Sequence, residues 1–224
     1  MESTLHPTNT ERVVWASTQV VPVAPETGRA RSDWRTALPT LICKRVMLRE
    51  LKPTDAPSLF GLLTTPEVVR FITQPPSTLD GFERFVAWTH NLRSKGTFAC
   101  FAIVPHGCEA AVGIIQVRQL ESTFSIAEWG CVLGMPYWGN GAFMDAAQLL
   151  IGFAIGTIGV RRLEGRVAVE NGRANAAVRK LGAVPEGTLR RSLQIGHERL
   201  DQVLWSIADE DWFQAKAVWG PRVH

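Results

Sequence analysis

Along most of the chain the apolar positions fall into short periodic runs, and the period switches between two and about four. From Leu41 onward, ICKRVMLREL alternates apolar and polar residues, with Ile42, Val46 and Leu48 on related faces, as in a half-buried strand. KPTDAPSLFGLL follows, with Leu59, Leu62 and Leu63 at helical spacing and Thr54 placed to cap the helix N-terminus. Thr65-Pro66-Glu67 opens a second short helix with proline at its first position. After the turn-forming Gln74-Pro75-Pro76-Ser77, GFERFVAWTHNLRS sets Phe82, Phe85, Val86 and Leu92 on one stripe of a third helix.

The middle of the chain is strand-rich. FACFAIVP, AAVGIIQVRQL and SIAEWGCVLG have strand length and are joined by His106-Gly107 and Glu121-Ser122-Thr123, which predicts an antiparallel meander. A glycine turn, YWGNG, then leads into an apolar helix at about 142–158. RRLEGRVAV reads as strand, ENGRANAAVRKLG as helix, and TLRRSLQI with LDQVLWSIAD as a closing pair of strands. The order predicts a mixed α/β layout around one central sheet. Residues 1–38 carry three prolines and no sustained period, with Val13-Val14-Trp15 and Gln19-Val20-Val21 as short strand-like runs. They are expected to form a loosely ordered extension, ahead of a domain at 39–212 and a tail at 213–224.

Composition narrows the function. With 224 residues, 46% hydrophobic and 20% charged, the chain can bury a substantial core as one domain. A net charge of +3 without a run of five basic residues makes nucleic acid an unfavoured partner, while suiting a ligand with several phosphates. Cys43, Cys100, Cys108 and Cys131 show no CxxC spacing and read as reduced, mostly buried thiols, and no zinc site is expected. The N-terminus lacks a basic start followed by an apolar run, so the expected location is cytoplasmic. The longest uncharged apolar stretch, Ala146 to Val160, has fifteen residues and includes three glycines. A membrane span needs about 20 apolar residues, so this stretch predicts a helix buried against the sheet.

The passage from strand 125–134 through Pro136-Tyr137-Trp138-Gly139-Asn140-Gly141 into a helix carries the candidate chemistry. Glycines let successive N–H groups converge on a phosphate, and the helix dipole adds partial positive charge. The same glycines also serve as plain turn residues. No GxxxxGK[ST] is present and no GxGxxG follows the first strand, which removes the usual nucleotide-hydrolysis and dinucleotide motifs.

Taken together, YWGNGAFMDA at 137–146, Asn171, Ala174, Asn175 and Gly182 in the pattern NxxSNxxxxxxG, LREL-PTDA at 48–56 and DQVLWSI at 201–207 resemble the GNAT acetyltransferases, specifically the RimJ/RimL-type branch that acetylates ribosomal-protein N-termini. The resemblance covers roughly residues 40–212 and implies a mixed, mostly antiparallel central sheet flanked by helices. It implies acetyl-CoA as cosubstrate and an amine as acceptor, either a protein N-terminus or a small molecule, with no metal and with homodimerisation left open. Backbone amides of Trp138, Gly139, Asn140, Gly141, Ala142 and Phe143 would hold the pyrophosphate, and Leu133 and Gly134 would meet the pantetheine arm. Asn171 and Asn175 would serve the cofactor from the next helix, with helix capping as the ordinary role for Asn171.

Several positions depart from the family pattern. Trp138 stands where many members have Arg or Gln, Phe143 replaces a small residue, and Ala174 lacks the hydroxyl of NxxS. Val178 occupies the position of the usual tyrosine acid, and Tyr137 is the chain's sole tyrosine. Glu128 is the candidate base, because the histone-acetylating members carry a glutamate on the equivalent strand and a carboxylate among Ile126, Trp129 and Val132 would have a raised pKa. Its ordinary reading is a structural pair with an arginine in a neighbouring strand. Asp201 is a second candidate, for orienting the amine. Against the enzyme readings stands a CoA-binding regulatory protein that kept the turn and lost catalysis.

Overall fold

The computed structural model describes residues 33–219. One eight-stranded sheet runs through it in the order β1-β2-β3-β4-β5-β6-β8-β7. The strands are β1 (Leu41–Ile42), β2 (Val46–Glu50), β3 (Phe98–Pro105), β4 (Gly113–Gln119), β5 (Ile126–Leu133), β6 (Arg162–Ala168), β7 (Val184–Ile195) and β8 (Glu198–Ala208). Every neighbouring pair is antiparallel except β5 and β6, which run parallel. The mixed, mostly antiparallel sheet is therefore present as expected.

Helices cover both faces. α1 (Ala56–Leu63), α2 (Pro66–Val69) and α3 (Leu79–Ser94) pack on one side, with Leu59, Leu63, Val68, Phe82 and Phe85 in a core shared with Phe98 and Cys100 of β3. α4 (Ala142–Phe153), α5 (Gly172–Lys180) and α6 (Asp209–Trp219) belong to the other side, where Leu150, Ile151, Val178 and Trp212 meet Phe101, Ile115 and Trp205. Being covered on both faces, β3 is buried from Phe98 to Val104, which is why FACFAIVP reads as a continuous apolar run. The 146–160 stretch does form a buried helix, continuing from α4 as a π-helical turn at Ala154–Ile158. No helix among the described residues is long and apolar enough to cross a membrane.

Two local expectations need correction, one on the first strand and one on the cap of α1. The run from Ile42 to Leu51 is two strands, since Cys43 N–H donates to Val46 O at 3.1 Å and the turn pairs Leu41 with Leu48. This leaves Ile42 exposed while Val46 and Leu48 are buried. Thr54 does not cap α1; it lies in a 3-10 turn at Pro53–Asp55, and the Asp55 carboxylate accepts Lys52 N–H at 2.8 Å instead. Residues 209–219 form α6 across the expected start of the tail. The end of the N-terminal extension is docked: Trp34 is buried and meets Phe124 and Phe153 edge-on at 5.9 and 6.5 Å. The strand-like runs at Val13-Val14-Trp15 and Gln19-Val20-Val21 lie outside the described residues. Of the four free thiols Cys100 is fully buried, Cys43 and Cys131 are partly buried and Cys108 is exposed.

Candidate active site

The sheet opens where its single parallel pair begins to separate. β5 and β6 pair at only three positions, Ile126 with Arg162, Ala127 with Leu163 and Glu128 with Glu164. Beyond that point β5 stays with β4 as far as Leu133, and β6 stays with β8 as far as Ala168. Among the described residues no strand lies between the facing edges of Trp129–Leu133 and Gly165–Ala168, which leaves their backbone polar groups to an extended ligand. Trp129 wedges the opening. A Cβ on Gly165 would come within 3.1 Å of its indole Nε1, so glycine at 165 makes room for the ring.

A cavity of about 110 Å³ occupies this split. Trp129 and Phe143, their rings 6.3 Å apart, line its α4 side. Gln116, Arg118, Glu128 and Arg166 line it too, with Phe71, Ile72 and Thr73 contributed by the segment between α2 and α3. Residues distant in sequence thus meet at one place because two strands part.

The glycine turn lies at the end of β5. Gly139 and Gly141 adopt φ of 76° and 91°, a region costly for residues with a Cβ. The N–H groups of Gly139, Asn140, Gly141 and Phe143 have no hydrogen-bond partner among the described residues, whereas two of the other expected amides are occupied. Trp138 N–H donates to Met135 O at 3.0 Å, and Ala142 N–H donates to the Asn140 side chain at 3.0 Å. Leu133 O accepts the Trp138 indole N–H at 2.7 Å, and Gly134 N–H donates to Val112 O at 2.9 Å. Trp138 therefore braces the turn through its indole N–H.

Two cations absent from the sequence reading stand beside this turn. The Arg45 guanidinium lies against Gly141, where a Cβ would come within 3.1 Å of Cζ, and it pairs with Asp145 of α4 at 3.2 Å. Arg173 of α5 stacks over the Trp138 ring at 4.2 Å. The one available signal was Asp145 itself, an acidic residue in the first turn of a helix expected to receive an anion.

Glu128 makes the structural pair with a neighbouring-strand arginine and also stands at the cavity wall. It is buried and sits opposite Arg118 of β4, whose Nε donates to Oε2 at 2.9 Å. It also faces the cavity, with Oε1 3.9 Å from Arg166 Nε. Burial pushes its pKa up; Arg118 and Arg166 pull it back, Glu164 adds to the rise, and the net shift is upward. The remaining candidates divide. Asn171 lines the cavity and its Oδ1 caps α5 by accepting Ala174 N–H at 3.1 Å. Asn175 is committed to the fold, donating to Ala168 O at 2.9 Å and accepting the Trp205 indole N–H at 2.9 Å. Asp201 accepts Arg191 N–H at 2.7 Å, where β7 bulges against β8, and is not among the residues around the cavity. No cluster of three or more His, Cys, Asp or Glu side chains able to hold a metal occurs among the described residues.

Comparison with known proteins agrees with this geometry. The family described as Acetyltransferase (GNAT) domain matches residues 45–184. The uncharacterized N-acetyltransferase p20 of Bacillus licheniformis is 24% identical over 174 residues, covering 77% of this chain and 98% of its own. The ribosomal-protein-S5-alanine acetyltransferase of Vibrio fischeri superposes with a TM-score of 0.70 at 18% identity, covering 77% of this chain and 98% of that one. The microcin C7 self immunity acetyltransferase MccE, solved with acetyl-CoA and AMP, superposes with a TM-score of 0.67 at 17% identity over 74% and 93% of the two chains. At these identities the two solved structures establish a shared fold. Since the family match spans more than half of its length, this chain belongs to the GNAT family of acetyl-CoA-dependent N-acetyltransferases.

Proposed function

We propose that the protein acetylates the α-amine of a protein or peptide N-terminus by direct attack of that amine on the acetyl-CoA thioester. The observation that carries this reading is the parting of β5 from β6 with Glu128 facing the space between them. The chain fits the cosubstrate: the unoccupied amides of Gly139, Asn140, Gly141 and Phe143, with Arg45 and Arg173 close by, offer an anion site for its diphosphate. The edge of β5 beyond Glu128, unpaired with β6 among the described residues, offers backbone groups to its extended arm, and Asn171 stands at the cavity wall. When bound, acetyl-CoA would supply the activated acetyl group: the thioester C–S bond breaks as the new C–N bond forms, and CoA leaves as its thiolate. Glu128, with its pKa raised by burial, takes the proton of the incoming amine directly or through a water. Holding the amine in line supplies much of the remaining rate.

The choice of an α-amine follows from the thin set of acid and base groups. Val178 fills the position of the tyrosine acid, and Glu128 is shared with Arg118. An α-amine has a pKa of about 7.7–8.0 and is partly neutral near pH 7.5, whereas lysine at about 10.4 is almost wholly protonated. A lone, partly neutralised carboxylate suffices for the first more readily than for the second. The name of the Vibrio fischeri relative, an S5-alanine acetyltransferase, points the same way.

Mass spectrometry of two peptide sets tests the proposal. Peptides with a free N-terminus should be acetylated faster than the same peptides blocked at the N-terminus but bearing lysine. Preference for lysine, or activity confined to small amines, would overturn the acceptor. Gly141→Glu should abolish the rise in melting temperature that acetyl-CoA gives by linkage. A variant that still responds fully would show the turn to be misassigned.

A further inference from the structure

Gln116 of β4 stands at the cavity wall and is only 7% exposed. Among the described residues its carboxamide makes no hydrogen bond, although buried polar side chains nearly always have a partner. Polar groups around it are engaged: Arg118 donates to Glu128, and the Gln202 side chain accepts from the Ser192 hydroxyl at 3.0 Å. An unpaired buried amide costs the fold stability, so at a cavity wall it points to a ligand atom that completes it.

The strand register places that ligand atom. Gln116 pairs with Gly130, two residues past Glu128 on β5, so all three share one face of the sheet. Gly130 also lies beyond Glu128, the last residue that β5 pairs with β6, and so stands where the strands part. The carboxamide nitrogen reaches over this glycine: a Cβ built there would have Gln116 Nε2 as its nearest neighbour, at 3.8 Å. Having no side chain, Gly130 leaves Nε2 open to the cavity. The candidate base and a neutral donor thus flank one space, set apart along β5 by two strand rises, about 7 Å.

We propose that Gln116 is an oxyanion donor, its Nε2–H meeting the thioester carbonyl oxygen as that oxygen takes up negative charge. When the amine nitrogen bonds to the acetyl carbon, the C=O π pair moves onto oxygen and the amine proton passes to Glu128. The pair then returns, the C–S bond breaks and CoA leaves as its thiolate. A donor already in place where the charge develops lowers the barrier, because nothing has to reorganise at that moment. This rests on direct attack at the thioester and is indifferent to which amine attacks. The choice of amine is judged on the parent alone and the donor on the ratio of variant to parent, so the two can fail separately.

Gln116→Met keeps the side-chain length, forfeits no hydrogen bond among the described residues and should melt close to the parent. Acetyl-CoA with a carbon-13 label at the thioester carbonyl is bound to each protein, and its C=O stretch is recorded by difference infrared spectroscopy. Loss of the donor should move the stretch to higher frequency, with acetyl-CoA affinity by calorimetry nearly unchanged. Turnover, followed as thiol release with the parent's best amine, should fall by about 10²–10³-fold in kcat with little change in KM. That deficit should be constant with pH, since a carboxamide does not titrate, whereas the deficit of Glu128→Gln should shrink as pH rises. Gly130→Ala sets a methyl group at ordinary contact distance from Nε2 and should lower kcat by a smaller factor. An unmoved carbonyl stretch, or parent-like kcat in Gln116→Met, would overturn the assignment. So would a deficit that varies with pH, which would make Gln116 a support for Glu128, or one matched by an equal loss of acetyl-CoA affinity.

Discussion

Asp55 and Glu128 are both buried carboxylates met by an arginine, and burial has opposite outcomes for them. Asp55 accepts from both terminal nitrogens of Arg49 at 2.7 Å, from Lys52 N–H at 2.8 Å and from Ala111 N–H at 3.2 Å. Burial alone would raise its pKa, but the Arg49 bonds and the two amides outweigh it and the net shift is downward. Glu128 is held on one oxygen by Arg118, and Oε1 accepts no hydrogen bond among the described residues. There burial wins and the pKa moves upward. A fully satisfied carboxylate ties β2, the start of α1 and the β3–β4 connection together. An under-satisfied one beside a cavity is available to move a proton.

The contrast can be broken first through stability. Asp55→Asn leaves Arg49 buried without its charge partner and should cost about 3–5 kcal/mol in urea unfolding. Glu128→Gln can keep a hydrogen bond from Arg118 and should cost about 1 kcal/mol or less. Equal losses would mean that Glu128 is as structural as Asp55.

Stability against pH sharpens the same point, because the two groups contribute with opposite sign. Asp55 is lowered in the folded state, so its contribution is present above its ordinary value near 3.8 and is lost as pH falls through the lower folded value. Glu128 is raised, so the folded state retains a proton that the unfolded chain gives up near 4.5. Between that value and the raised one, stability falls as pH rises. The parent should therefore lose stability relative to Glu128→Gln across this window on going up in pH. Relative to Asp55→Asn, it should lose its advantage on going down below 3.8. Slopes of the same sign in both comparisons would contradict the assignment.

A third pair sets the lower bound. Arg45 and Asp145 meet at 3.2 Å with the arginine side chain about half exposed, so their mutual attraction is worth little. Arg45→Ala should leave unfolding nearly unchanged. It should weaken acetyl-CoA binding by about 2- to 5-fold and flatten its salt dependence, measured by calorimetry at two ionic strengths. Unchanged affinity would remove Arg45 from the phosphate site.

What was legible in the sequence was what is local. The strand, the two positive-φ glycines and the apolar helix after them occupy one contiguous stretch, so period and turn chemistry located them together. The Cys43 turn escaped because VMLRE continues the same alternation as the residues before it, and nothing in that parity marks a reversal. Thr54 was a reasonable cap by residue type, but Asp55 one position on reaches Arg49, Lys52 and Ala111 at once. Arg45 lies 100 positions from its partner Asp145, and the cavity beside Glu128 exists only because β5 and β6 part. Those features belong to tertiary structure, and no spacing rule carries them.

A proton-moving role for Glu128, apart from a cosubstrate grip on the turn at Gly139 and Gly141, is tested most directly by the pH–rate profile of Glu128→Gln on a peptide with a free N-terminus, together with the variant's acetyl-CoA affinity. Affinity should be unchanged and turnover lower by about 10²–10⁴-fold at neutral pH. That deficit should shrink as the pH rises through the α-amine pKa and the amine sheds its own proton. Parent-like turnover at every pH would contradict it and leave Glu128 as the partner of Arg118 and nothing more.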